Sequence, residues 1–122
     1  MTAIGEPTAL SARELARRIR DGQLSAREVF EAHIDRIGKL NPALNAVVSL
    51  DVDKARVRAK DADVALRRGE IWGPLHGVPM TLKDGHDVAG LRTTIGTFEW
   101  DRVADEDGTV ATRLRAAGAL II

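Results

Sequence analysis

Gly73-Pro74-Leu75-His76-Gly77-Val78-Pro79-Met80-Thr81-Leu82-Lys83-Asp84 is the stretch on which the fold of this chain turns. Glycine and proline punctuate the approach to Val78–Lys83, a short strand whose alternation sends Val78, Met80 and Leu82 one way and Thr81 and Lys83 the other. Pro79 is tolerable at the start of a strand. Downstream, Ala119-Leu120-Ile121-Ile122 is apolar without interruption, the pattern of a strand buried on both faces of an α/β sheet. Between the two, residues 84–97 read as a loop with three glycines. Asp105-Glu106-Asp107 then offers negative charge and a cap for a helix carrying Val110, Leu114 and Ala117, closed by Gly118.

Upstream of Gly69 the periodicity is helical, and 13 of the 18 basic residues lie there. Ser11 with Glu14, and Ser25 with Glu28, have the spacing of a capping box, in which the serine oxygen takes an orphan backbone N–H and the glutamate reaches back to the cap. The first helix is expected to gather Ala12, Leu15, Ala16 and Ile19 on one face and to stop at Asp21-Gly22. The second carries Phe30, Ile34 and Ile37 and is expected to end near Leu40, because a residue before proline, here Asn41 before Pro42, avoids helical angles. The third begins near Asp51, with Val52, Ala55, Ala59, Ala62 and Leu66 recurring every three or four residues, and closes at Gly69. Its small alanines permit close approach to a larger neighbouring surface. The mixed charges from Lys54 to Arg68 read as its solvated face.

The chain has 122 residues, 44% apolar and 30% charged, enough for one small globular unit and too few for two. Eighteen basic residues balance 18 acidic ones, so no net field gathers polyanions or anionic lipid. Aromatic residues, Phe30, Trp72, Phe98 and Trp100, are too few to stack a run of bases. Cysteine is absent, which excludes disulfides, thiolate nucleophiles and sulfur-ligated metals. Residues 1–7 lack the basic and apolar regions of a leader, and no run approaches the length of a spanning helix. A cytoplasmic location is expected.

Familiar catalytic motifs are missing. There is no G-x-S-x-G elbow, H-E-x-x-H or phosphate-binding glycine loop. Ser11 and Ser25 are assigned to caps and Ser49 precedes a helix, so no serine is a good nucleophile. His33, His76 and His86 lack metal-ligand spacing, and no metal or cofactor is expected. Lys83 remains: it ends a strand beside a glycine-bearing loop, where ligands of open α/β sheets bind, and a desolvated lysine there can serve as a base. By position alone a lysine ending a strand is more often a solvent-facing charge or the partner of a neighbouring aspartate, here Asp84.

Residues 73–84, followed by Asp87-Val88-Ala89-Gly90-Leu91 and Thr93-Thr94, closely resemble the lysine motif of the amidase signature family. Leu40-Asn41-Pro42, Leu44-Asn45-Ala46 and residues 113–119 match at the expected places, so the resemblance covers almost the whole chain. It implies an α/β fold: N-terminal helices and the first strands of an α/β/α architecture with a mixed central sheet, cut short. Residues 1–69 would be the helical segment and 70–122 the start of the α/β core of a single domain. The family hydrolyses carboxamides with a serine nucleophile, a second serine in a cis peptide, and a lysine. By that resemblance Lys83 is the catalytic lysine, Asp84 supports it, and Gly85, Thr94 and Gly96 belong to a substrate-pocket loop. The sequence departs from the family at Gly85, where asparagine is common, and at Ile95-Gly96-Thr97, which replaces a small-residue pattern. The glycine- and serine-rich stretch with both serines is expected after Ile122, and the chain alone is expected to be inactive.

Three functions compete at this point. The chain is the N-terminal piece of an amidase acting on a small-molecule amide, a piece of the glutamine-hydrolysing subunit of a tRNA-dependent amidotransferase, or a non-catalytic helical interaction module. A homodimer through the N-terminal helices is the expected self-association, with no nucleic acid or membrane partner.

Overall fold

The alanine seam of the third helix decides how the pieces stack. In the computed structural model, which describes residues 5–122, helices α1 (Ala12–Arg20), α2 (Ala26–Leu44) and α3 (Val52–Arg67) precede a short strand β1 (Pro79–Met80). A hairpin of β2 (Arg92–Thr93) and β3 (Arg102–Val103) follows, then α4 (Thr109–Ala116) and β4 (Leu120–Ile121). Ala55, Ala59 and Ala62 bring α3 close to Phe30 and Val29 of α2 and to Leu120 and Ile122 at the end of the chain. Ile19 of α1 and Val78 complete this cluster, in which Phe30, Ile19 and Leu120 are fully buried. The small side chains of α3 are thus covered by the chain's own α2 and β4.

β1 and β4 pair in parallel, Pro79 opposite Leu120 and Met80 opposite Ile121. A parallel pair needs a long crossover, here supplied by the hairpin and α4. Successive residues of β4 serve opposite faces: Leu120 and Ile122 enter the α1–α3 cluster, whereas Ile121 joins Val88, Ala111, Met80 and Leu82 in a second one. Continuous burial of Ala119–Ile122 agrees with the apolar run in the sequence.

The turn that delivers β1 is welded to the turn that delivers β4. Leu75 N–H donates to the Ala117 carbonyl (2.8 Å) and Gly77 N–H to the Gly118 carbonyl (3.0 Å). His76 is buried between them; its Nδ1 accepts from Trp72 N–H (3.0 Å) and its Nε2 lies 2.9 Å from the Ala62 carbonyl of α3. That geometry defines the neutral tautomer with the proton on Nε2, donating to Ala62.

Several sequence expectations are corrected. α2 runs through Pro42 to Leu44. Proline removes one N–H in the last turn only, and Asn41 compensates by bonding both the N–H and the carbonyl of Val47 (2.9 Å each). Asn45 then ends the helix in the left-handed conformation. The Ser25–Glu28 box closes in both directions, but Ser11–Glu14 is half a box, because Glu14 turns to Arg17 and Arg18. Val78 parts company with Met80 and Leu82: its N–H closes a turn to Leu75, so the strand alternation starts after it. The loop over residues 84–97 contains β2, which pairs antiparallel with β3. α4 is capped by Gly108 and not by the acidic run, and it buries Ala111 while Val110 is exposed. The part of the leader reading that falls on residues 1–4 lies outside the described residues.

The charged face of α3 is only partly solvent. Asp63 reaches back to α2, accepting from Ala26 N–H (2.7 Å) and Arg27 N–H (3.1 Å), two donors that the helix leaves orphaned. Asp63→Ala should therefore destabilise the chain by about 1–2 kcal/mol, the scale of a lost N-cap. Chemical denaturation of the two proteins checks this, and an unchanged midpoint would mean that water replaces the carboxylate at no cost.

Candidate functional site

The carboxyl ends of β1 and β4 open on a cleft of about 290 Å³. Thr81, Leu82, Lys83, Asp84 and His86 line it from the β1 side, Ile121 and Ile122 from β4, Val88, Leu91 and Arg92 from the following loop, and residues 46–49 from the α2–α3 connection. Ile122 N–H donates to the Met80 carbonyl (3.1 Å), so the two strands still run side by side where the cleft begins. Its floor is apolar and its rim carries the chemistry. The crevice beyond the carboxyl ends of strands is where open α/β sheets hold ligands.

Lys83 stands on this cleft with an exposed side chain, in contrast to the buried setting expected from the sequence. Neither is it the partner of Asp84. Asp84 accepts from Thr94 N–H (3.0 Å) and forms a short hydrogen bond with the Thr94 hydroxyl. None of the ion pairs among the described residues includes Lys83. The Lys83 carbonyl accepts from His86 N–H (3.0 Å), a tight turn that carries the chain away from β1 and leaves the amine at its edge.

The Asp84–Thr94 link brings two predicted site residues together and folds the loop back on the strand end. Gly85 lies beneath Ile95, whose side chain would be 3.3 Å from a Cβ added there. Thr94–Thr97 is a turn closed by Thr97 N–H to the Thr94 carbonyl (2.9 Å), with positive φ at both Ile95 and Gly96. Glycine adopts that geometry freely, whereas a β-branched isoleucine does not. Gly85, Thr94 and Gly96, expected in the pocket loop, do not themselves line the cleft; they shape the loop whose Asp84 and His86 do. No local signal in the sequence marks residues 46–49 as the opposite wall, although Leu44-Asn45-Ala46 is among the pieces that match the family.

Below the loop a charge network fixes the hairpin. Asp87 takes the Thr93 hydroxyl (2.8 Å) and Arg102 Nη2 (2.6 Å), and Arg92 is paired with Asp101. The Arg102 hydrogen bonds, then that of Thr93, hold the Asp87 carboxyl below its ordinary 3.8, and Arg92 does the same for Asp101. The folded state therefore binds these protons less readily than the unfolded chain. Their contribution to stability is present above the ordinary value and is lost as pH falls through the lowered folded values. Amide exchange at Gly90 and Ala104, which bond across the hairpin, should accelerate as pH falls below 3.8 relative to the chemistry of exchange itself. Arg102→Gln should flatten that dependence; an identical profile would assign the acid sensitivity elsewhere.

Three comparisons join this geometry to known proteins. The profile of the family described as Amidase matches residues 28–122. An acylamidase of Rhodococcus erythropolis is 40% identical over 114 residues, covering 93% of this chain and 24% of that protein. A glutamyl-tRNA(Gln) amidotransferase subunit from Acidothermus cellulolyticus is 40% identical over 110 residues, covering 89% and 22%. The solved structure of the native peptide amidase from Stenotrophomonas maltophilia superposes with a TM-score of 0.84 at 33% identity, covering 92% of this chain and 23% of that one. The chain belongs to the amidase family, and its helices and strands are a portion of that family's α/β fold. It spans about a quarter of the length of the curated relatives it matches. Among the described residues no helix is long and apolar enough to cross a membrane.

Proposed function

We propose that this chain is the lysine-bearing N-terminal portion of a carboxamide hydrolase, with Lys83 as the base of a Ser-cisSer-Lys triad whose serines lie in sequence following Ile122. The observation that carries this is the placement of Lys83: an amine with no carboxylate partner among the described residues, on a cleft at the carboxyl ends of two parallel strands. The neighbouring Asp84 is committed to Thr94, so it orders the loop and does not pair with the amine. In the proposed reaction the Lys83 amine draws a proton through the cis serine, the second serine attacks the amide carbon, and an acyl-enzyme forms as the amine or ammonia leaves. Water then releases the carboxylate. Backbone N–H groups beside the nucleophile would stabilise the oxyanion. The family membership and the likeness to a peptide amidase and an acylamidase support a small-molecule amide as substrate.

The test is a comparison of the 122-residue chain with a longer polypeptide, one extended past Ile122 to include the proposed serine stretch. The chain alone should hydrolyse no simple amide above a Lys83→Ala control, whereas the longer one should release carboxylate and ammonia. Lys83-dependent turnover by the chain alone would place the nucleophile within it and overturn the reading.

The equal identity to an amidotransferase subunit favours a second reading, in which the ammonia comes from glutamine and passes to partner subunits. Glutaminase activity that appears only with co-purifying subunits distinguishes it. The helical-module reading has less support, since the α3 seam meets α2 and β4 of its own chain. A homodimer through the N-terminal helices would have to draw on exposed residues such as Leu40, Leu44 and Val57, because Leu15, Ile19, Val29 and Phe30 are buried internally.

A further inference from the structure

A second cleft, of about 270 Å³, lies between the N-terminal half of α3, α4 and the loop after Asp87. Val88, Leu91 and Ile121 line it and also line the Lys83 cleft, so the two stand back to back across one apolar wall. Lys54, Arg58 and Arg115 bring three cations to the second cleft, and Asp51 and Asp107 two carboxylates.

Both carboxylates are already engaged. Asp51 caps α3 through Lys54 N–H (3.1 Å) and lies 3.7 Å from Lys54 Nζ. Asp107 accepts from Ala89 N–H (2.8 Å) and from Arg115 Nε (2.7 Å). The Arg58 guanidinium is hydrogen-bonded to no carboxylate among the described residues. It sits 4.6 Å from the centre of the Trp72 ring, and its one hydrogen bond among the described residues runs from Nη2 to the Arg115 carbonyl (3.3 Å). Its Nε is buried and has no hydrogen-bond partner among the described residues. Burial, then repulsion from Arg115, pushes the Arg58 pKa down and outweighs the attraction of Asp107 and Asp61.

We propose that this cleft binds a small carboxylate with a short apolar tail, the carboxylate held by Arg58 with Lys54 at the rim, the tail against Val88, Leu91 and Ile121. A guanidinium presents paired donors that match a carboxylate. The apolar wall adds affinity for a tail, about fourfold per buried methylene, which inorganic phosphate cannot use. The inference needs neither a serine nor turnover, so it stands apart from the proposed hydrolase activity.

The test is a nuclear magnetic resonance titration of the ¹⁵N-labelled chain at constant ionic strength with sodium butyrate, acetate, inorganic phosphate and the neutral isostere butyramide. Butyrate should shift Arg58 Nε and the Ala89 and Leu91 amides to saturation, with acetate and phosphate at least about tenfold weaker and butyramide without effect. Arg58→Gln should weaken butyrate by at least about tenfold, the scale of a lost charge-assisted hydrogen bond. Lys54 is largely exposed, so Lys54→Gln keeps the fold and should weaken butyrate severalfold even if Arg58→Gln does not fold. Lys83→Met, which alters only the other cleft, should leave it unchanged. Butyrate that leaves Arg58 Nε unmoved, binds a folded Arg58→Gln equally well, is indifferent to Lys54→Gln, or is matched by butyramide or phosphate would overturn the proposal. Failure of the longer polypeptide to hydrolyse amides would bear on the proposed function alone.

Discussion

Lys83→Met in the longer polypeptide should lower kcat by at least about a hundredfold, the contribution of a positioned general acid–base group, and leave KM nearly unchanged. Methionine keeps length and apolar bulk and deletes the amine. The structure sharpens what should happen to stability. Asp84 is bonded to Thr94 and Lys83 takes part in no ion pair found among the described residues, so removing the amine strands no carboxylate. The melting temperature should stay where it is. Had Lys83 paired with Asp84, the same substitution would cut stability and spare turnover. Kinetics and thermal unfolding on one preparation separate the two cases, and near-normal turnover would remove Lys83 from the chemistry.

Gly118→Ala should destabilise the 122-residue chain by about 3 kcal/mol or more, a large fraction of the roughly 5–15 kcal/mol that holds a domain together. Two effects combine. Gly118 has φ +95, and a side chain in the left-handed region costs about 1–2 kcal/mol. A Cβ there would also lie 2.7 Å from His76 Cα and 2.8 Å from His76 N, backbone whose N–H donates to the Gly73 carbonyl and whose imidazole is tied to Trp72 and Ala62. Overpacking of this kind costs about 1–3 kcal/mol more. Gly22 supplies the control: its φ is +71 but nothing lies within 4 Å of its added Cβ. Gly22→Ala should therefore show the conformational part alone. Urea midpoints that are equal for the two variants would show that the weld between the strand-leading turns contributes little.

The helices were largely legible because their signals are local. Ser25 and Glu28 close the box that their spacing announces, and Ala55, Ala59 and Ala62 form the seam that their period announces. Where a distant partner intervened, local pattern misled. Pro42 reads as a stop, but the Asn41 side chain bonds a residue beyond the helix and makes the last turn worth keeping. Asp63 reads as a solvated charge and proves to cap another helix. Asp107 reads as a cap and is taken instead by Arg115 and Ala89. At the candidate site, Lys83 and its loop stood out through the family motif. The wall formed by residues 46–49 did not, since only tertiary packing carries it across from α3's leading edge to the strand ends.

The parallel pairing of β1 with β4 also sets an order of events in time. α1, α2 and α3 meet through contacts close in sequence and can associate as soon as they are made. β1 has no partner until β2, β3 and α4 have all been synthesised and β4 follows, and closing so long a loop is entropically slow. Until then Met80, whose cluster partners Ala111 and Ile121 come later in the chain, remains uncovered on the edge that leads to Lys83. Among the elements described, the cleft is therefore the last to form, and substitutions in the helical half should alter the early steps of folding while those at Gly118 alter the late ones.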